Sequence, residues 1–196
     1  SSDLALAQLE LELQRLVPER HARSADGVVE LLRDLGDLRR DELAARVTPE
    51  LAAELDPVID TLVRDRRVIT VQIGTETRLV AADDAARCRD ALGCALPVGL
   101  PAVFTDPVPR PLDALVARWA RTHGPFVAHD IATRLGVGSA AVLDALGRLV
   151  TEGRVLVGEF RPGGTTREWC DESVLRSLRR RSLAALRAEI EPVDGI

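Results

Sequence analysis

The chain contains no Lys, Asn, Met or Tyr. Without Lys it has no GxxxxGK[ST] phosphate loop and no lysine Schiff base. Without Tyr it has no phenolic acid. Without Met it carries no initiator residue, so it is expected to be an excised piece of a longer protein. Three His and three Cys leave few catalytic or metal-binding sets. Cys88 and Cys94 are close in sequence and Cys170 is remote. An odd cysteine count and no basic-then-apolar leader point to reduced thiols in the cytoplasm, acting as small hydrophobes. No apolar run approaches the ~20 residues of a membrane span, so no membrane partner is expected.

What is present is a chain of 196 residues, 46% apolar and 29% charged. Its 26 basic residues are all Arg, set against 31 acidic ones for a formal charge of −5. The size allows one domain or two small ones, and the apolar fraction is that of a globular chain. The bias towards Arg, Ala, Leu, Gly and Asp is that of a GC-rich bacterial genome.

An internal repeat is the most informative feature. Gly36-Asp37-Leu38-Arg39-Arg40-Asp41-Glu42-Leu43-Ala44-Ala45-Arg46-Val47 lies over Gly124-Pro125-Phe126-Val127-Ala128-His129-Asp130-Ile131-Ala132-Thr133-Arg134-Leu135 without a gap. Leu62-Val63-Arg64-Asp65-Arg66-Arg67-Val68-Ile69 answers Leu149-Val150-Thr151-Glu152-Gly153-Arg154-Val155-Leu156. Each copy closes on an acidic helix start, Asp83-Asp84 and Asp171-Glu172.

The elements match as well. In the second copy Leu112, Leu115, Val116 and Trp119 have helical spacing. Gly124-Pro125 ends that helix and Phe126-Val127 makes a short strand. Asp130–Leu135 is a brief helix ended by Gly136. Ser139 caps a longer one with Val142, Leu143, Leu146, Leu149 and Val150 on one face. Arg154–Phe160 and Thr166–Trp169 form a hairpin turning at Pro162-Gly163-Gly164, with Val155 and Val157 pointing one way. In the first copy the helices are Ala25–Leu35, Asp41–Val47 and Pro57–Arg66, the last capped by Asp56 with Pro57 first. Its hairpin strands are Val68–Ile73 and Thr77–Ala82. A leading helix spans Asp3–Leu16 and a tail helix Glu172–Glu191. This order predicts a mainly α fold with small β-wings (α+β), as two tandem winged-helix domains. Residues 1–95 hold the first module with the leading helix. A Pro-rich linker, 96–110, packs through Leu96, Val98, Leu100, Val103 and Phe104. Residues 111–196 hold the second module with the Arg-rich tail helix.

A winged helix that reads duplex DNA lays its third helix in the major groove and needs exposed basic or amide side chains there. The first copy instead has Asp56, Asp60 and Asp65 on that helix, and the second has Asp144, Arg148 and Glu152. Neither would grip phosphate. The second wing is the better candidate. Arg154, Arg161 and Arg167 bracket its Gly-Gly tip and could hold a backbone, or else be solvated or paired with Glu159 and Glu168. Trp169 beside them could stack on a base, although a Trp there is ordinarily core. Arg176 and Arg180 lie on the basic face of the tail helix. Replacing Arg161 and Arg167 by Ala is expected to weaken binding without unfolding.

No catalytic set is found. Gly136-Val137-Gly138 follows a helix, so it is no dinucleotide loop. His123 and His129 lack zinc spacing. No nucleophile elbow occurs. Neither metal nor cofactor is expected.

At Gly93-Cys94-Ala95-Leu96-Pro97-Val98-Gly99 and Gly164-Thr165-Thr166-Arg167-Glu168-Trp169-Cys170-Asp171 the chain resembles the large helicase-related (Lhr) proteins. The tail Leu175-Arg176-Ser177-Leu178-Arg179-Arg180-Arg181-Ser182-Leu183 and onward to Val193 is similar too. The match is good over about 77–193 and less specific over the first copy. The resemblance implies a segment beyond the ATPase core of a bacterial DNA repair helicase. It implies an ATP-dependent 3′-to-5′ translocase on single-stranded DNA that unwinds RNA–DNA hybrids. The matched region belongs to a C-terminal extension of tandem winged helices linked to self-association. The family's ATP motifs have no counterpart here, and its glycosylase activity would depend on a residue outside this piece. The expected role is therefore a non-catalytic scaffold for docking the parent's other domains or for homo-oligomerisation. The alternative is a module contacting single-stranded or forked DNA through Arg154, Arg161, Arg167, Trp169, Arg176 and Arg180. A free-standing transcription regulator and a glycosylase-like enzyme are less well supported.

Overall fold

The leading apolar stripe forms α1 (Ser2–Leu13), which stops just before Arg15 enters the left-handed region at φ 55°. It is shorter than the expected Asp3–Leu16. The computed structural model describes residues 2–161, 163–164 and 166–190. Ser24 caps α2 (Ala25–Leu35): its Oγ accepts from the Gly27 N–H at 3.1 Å, satisfying a donor that a helix start leaves free. Then come α3 (Arg40–Ala44), α4 (Pro49–Ala52), α5 (Leu55–Arg64), β1 (Val68–Ile73), β2 (Glu76–Ala81) and α6 (Ala85–Leu92). After the Pro-rich stretch follow α7 (Pro111–Arg121), α8 (Ala128–Leu135), α9 (Ser139–Thr151), β3 (Val155–Gly158), β4 (Glu168–Asp171) and α10 (Glu172–Ile190). The fold is mostly helical with two small antiparallel sheets, in the manner of an α+β winged helix.

Two caps differ from expectation. α5 starts at Leu55, so Asp56 lies inside its first turn and binds Arg40 instead of capping. Gly138 precedes α9 and Ser139 is its first helical residue. α4 had no signal beyond Thr48-Pro49, a cap followed by a ring-fixed φ. Gly136 ends α8 in the left-handed region at φ 66°, as its sequence position suggests. Pro162, Thr165 and Glu191 lie outside the described residues, so the second wing tip and the last residue of the tail helix are not described.

The internal repeat reappears as matching contacts. Leu38 and Leu79 exchange two backbone hydrogen bonds, at 3.0 and 2.7 Å, and so do Phe126 and Trp169, at 2.9 and 2.8 Å. Leu38 and Phe126 are superposed in the gap-free overlay. One step on, the Arg39 N–H donates to Glu42 at 2.9 Å and the Val127 N–H to Asp130 at 3.4 Å.

Each sheet has two packed faces, because successive strand residues point to opposite sides. In the first, Val68, Leu79 and Ala81 join α2, α3 and α5 in one core. Ile69, Val71, Ile73 and Val80 face α6, with Leu96, Leu100 and Phe104 laid over them. Val98 and Val103, by contrast, stand 88% and 70% exposed. In the second sheet, Val155 and Trp169 join α7, α8 and α9 in another core. Leu156 and Cys170 face Leu9, Val174 and Leu175 of α1 and α10. Val157, expected beside Val155, is 46% exposed. The leading helix, grouped by sequence with the first half, therefore packs on the tail helix of the second. All three thiols are buried, and burial pushes Cys88 and Cys170 up to about 12, so they are inert hydrophobes.

Candidate nucleic-acid interface

α5 and α9 contain the third helices of the two sequence copies, the ones expected to read a groove. On α5, Asp56 and Asp60 project outward, attended by Arg40 at 2.7 and 3.9 Å. On α9, Arg148 is exposed but already engaged. It forks onto Asp113 of α7, Nε to Oδ2 at 2.8 Å and Nη2 to Oδ1 at 2.7 Å. That hydrogen-bonded fork holds the Asp113 carboxyl below the usual range against its burial, with Arg110 adding to it. Neither helix offers a free basic face to a phosphate backbone.

The second wing is partly committed to structure. Arg161 Nη2 donates to the Pro125 carbonyl at 2.6 Å and reaches Glu10 of α1 at 3.4 Å, while Nε lies 3.2 Å from Glu168. Sequence reasoning treats Arg161 as replaceable, but it ties the wing, α1 and the Gly124-Pro125 turn together. Arg161→Ala is therefore expected to lower stability by about 1–2 kcal/mol in urea unfolding, through the lost donor to the Pro125 carbonyl and the lost partner of Glu168 Oε2, whose Oε1 keeps the backbone N–H groups of residues 160 and 161. Trp169 is corrected too. It is 7% exposed inside the second core, so its indole offers no face for stacking. Arg167 is exposed. Arg176 pairs with Glu172, and Arg180 donates to Ser177 at 3.1 Å on the outer face of α10. Arg154 stands at the other end of β3 from Arg161, against Glu152 at 3.6 Å. The six candidates are thus not gathered into one site.

The strongest polar constellation lies between the two halves and escaped sequence reasoning. Arg134 of α8 places Nη1 and Nη2 each 2.9 Å from the two Glu42 oxygens, a bidentate fork. The same guanidinium reaches the Asp37 carboxylate at 3.2 Å and the Asp37 carbonyl at 2.6 Å. Arg78 of β2, nearly buried, donates to Asp37 at 2.8 Å and to the Arg134 carbonyl at 2.5 Å. On another edge of the contact, buried Arg118 of α7 lies 2.6 Å from buried Asp84 and donates to the Arg33 carbonyl at 3.3 Å. Gly36 makes room for it: a Cβ there would sit 3.0 Å from Arg118 Nη2, and its φ is +86°. The repeat itself held a signal. Arg46 and Arg134 are superposed in the overlay, and Arg46 also turns inward, donating to the Glu42 and Gln14 carbonyls at 2.7 and 2.8 Å.

A cavity of about 140 Å³ between the halves is lined by Trp119, His123, Glu42 and Arg134 among others. His123 stacks on Trp119, ring centroids 3.4 Å apart, and its Nδ1–H donates to the Trp119 carbonyl at 2.7 Å. Burial lowers it from 6.5 to about 4, with the Trp119 hydrogen bond working the other way. The unfolded chain then binds the proton first. Stability should fall by up to about 3 kcal/mol as pH drops from 6.5 towards 4, and His123→Gln should flatten that slope. Unfolding curves at stepped pH test it; equal slopes in the two proteins would reject it.

Comparison with known proteins gives two findings. The family described as large helicase-related protein, winged-helix domain, matches residues 3–107. An Lhr helicase/probable uracil glycosylase of Mycolicibacterium smegmatis is 43% identical over 189 residues, which is 96% of this chain and 12% of that protein. An Lhr helicase/uracil glycosylase of Escherichia coli is 36% identical over 188 residues, again 96% and 12%. The chain thus spans about an eighth of the length of these relatives.

Proposed function

The chain belongs to the large helicase-related family, and from that premise we propose that it is a non-catalytic, rigid scaffold within an Lhr-type DNA helicase. Two winged-helix modules, 1–95 and 111–196, are joined by the Pro-rich linker 96–110 and fused into one body. The parent is a bacterial cytoplasmic protein, an ATP-dependent 3′-to-5′ repair helicase. This segment sets the spacing of the parent's other domains and contributes to its self-association.

The observation that carries this reading is the ion-paired seam. Arg134 on Glu42 and Asp37, and Arg118 on Asp84, bind one half to the other through side chains that are largely buried. A tether between independent domains needs no such contacts, and Ala91 and Leu92 of α6 add apolar packing against the second core. The acidic, self-paired reading helices favour the same role over duplex recognition.

The test is the full-length helicase carrying Arg134→Glu, with loosened halves verified by limited proteolysis. We expect DNA-stimulated ATP hydrolysis near the parental rate, with unwinding and assembly impaired. Unwinding and assembly state both at parental levels would overturn the scaffold reading.

A further inference from the structure

The seam between the halves opens at one edge into a groove of about 380 Å³. Its lining holds six arginines, Arg33, Arg87, Arg110, Arg118, Arg121 and Arg154, and one carboxylate, Asp113. They come from four separate stretches of chain, α2, α6, the Pro-rich stretch with α7, and the entry to β3. A second concavity of about 250 Å³ adjoins it and shares Arg121 and Arg154. In a chain of net charge −5, this is a local reversal of sign.

The carboxylates beside the groove are already engaged. Asp84 is held by Arg118 at 2.6 Å and Arg87 at 2.9 Å, and Asp83 by Arg33 at 3.0 Å. Asp113 is shared by Arg148 and Arg110, and Glu152 by Arg110 and Arg154. Asp171, in the adjoining concavity, accepts from the first turn of α10. Arg121, where the two concavities meet, is partly exposed and has no ion pair among the described residues. Partial burial and the charges of Arg154 lower its affinity for a proton, Asp171 acting against them and Arg118 and Arg87 adding to them. An array of arginines that repel one another, with one lacking a counter-ion, is stabilised by an anion placed among them.

We propose that this groove is a binding site for the phosphodiester backbone of a single nucleic-acid strand. The first concavity's four further guanidinium groups, together with Arg121 and Arg154 at its junction with the second, fit successive phosphates better than one ion. Of the second concavity's carboxylates, Asp171 caps α10 and Glu172 is paired with Arg176. The described lining holds no aromatic ring and no amide side chain, so bases are neither stacked nor read, and binding is independent of sequence. The site is separate from the wing tip and from the outer face of α10, and the proposal does not depend on the scaffold reading.

The test is fluorescence anisotropy of this chain with a labelled oligothymidylate, titrated at several salt concentrations. Arg121 is the chosen position because it supports no ion pair, so Arg121→Glu should leave the unfolding midpoint unchanged. We expect Arg121→Glu to weaken binding about tenfold or more and to reduce the salt slope by about 1–2. Arg121→Lys should retain most of the affinity, and Arg180→Ala with Arg187→Ala, a tail pair away from the groove lining, should stay within about twofold of the parent protein. Three results would each overturn the proposal: no binding at low salt, equal affinity of Arg121→Glu and the parent protein, or a loss from the tail pair as large as from Arg121→Glu. Binding of polyglutamate in place of the oligonucleotide would also overturn it, by reassigning the groove to an acidic polypeptide.

Discussion

Arg118→Leu is expected to lower the free energy of unfolding by about 3–5 kcal/mol, the range for breaking a buried ion pair from one side. Asp84 is 3% exposed, and its Oδ2 would lose the partner at 2.6 Å, leaving only the surface-lying Arg87 on Oδ1. The Arg33 carbonyl at the end of α2 would lose a donor in the same step. Adding Asp84→Leu should recover a good part of the loss, because two apolar groups of similar volume can replace a buried pair with little penalty. Urea unfolding of the single and double variants measures both. If the single variant costs less than about 1 kcal/mol, the pair is not holding the halves together.

Arg134→Ala is expected to cost about 2–3 kcal/mol and to loosen the seam. Removing this guanidinium takes the only hydrogen bond that Glu42 Oε2 makes among the described residues, leaves Oε1 with the Arg39 N–H alone, and strips a donor from the Asp37 carbonyl, though Arg78 remains on the Asp37 carboxylate. Glu42 Oε1 also accepts from the Arg39 N–H, so its charge cannot simply swing into water without uncapping α3. Burial acts to raise the Glu42 pKa, but the Arg134 fork and the Arg39 N–H outweigh it and hold the carboxyl below its ordinary range. In Arg134→Ala that support is gone and burial prevails. Stability present above the ordinary carboxylate pKa and lost as pH falls through the lowered one should therefore shrink. Unfolding at neutral and acidic pH should show the variant's deficit largest at neutral pH. A constant deficit across that range would mean the fork contributes packing and no charge.

The local devices of this fold were readable in its residues, and the distant ones were not. Gly136 announces a stop and Val68–Ile73 a strand, and the structure has both. Leu38 and Phe126 share a place in the repeat and make the same paired hydrogen bonds. The caps of α5 and α9 slipped by a residue or two, because Asp56 found Arg40 and Gly138 could take the extended backbone that Ser139 was expected to supply. The Arg134–Asp37 contact joins residues 97 positions apart, and nothing in either neighbourhood points to the other. The arginines of the groove are scattered likewise. Trp169 and Arg161 were marked by residue type as possible ligand contacts. Packing had already used one as core and the other as a strut.

The pairing of α1 with α10 has a bearing on how the chain is made. Leu9 meets Val174 and Leu175, more than 160 residues further on, and Glu12 pairs with Arg181. Contacts so far apart close a long loop and form late. On a ribosome adding about 5–20 residues each second, α1 emerges roughly 10–30 s before its partner exists. During that interval its leucines have no native surface to cover them, because the hairpin and α10 on which they pack are both made at the end.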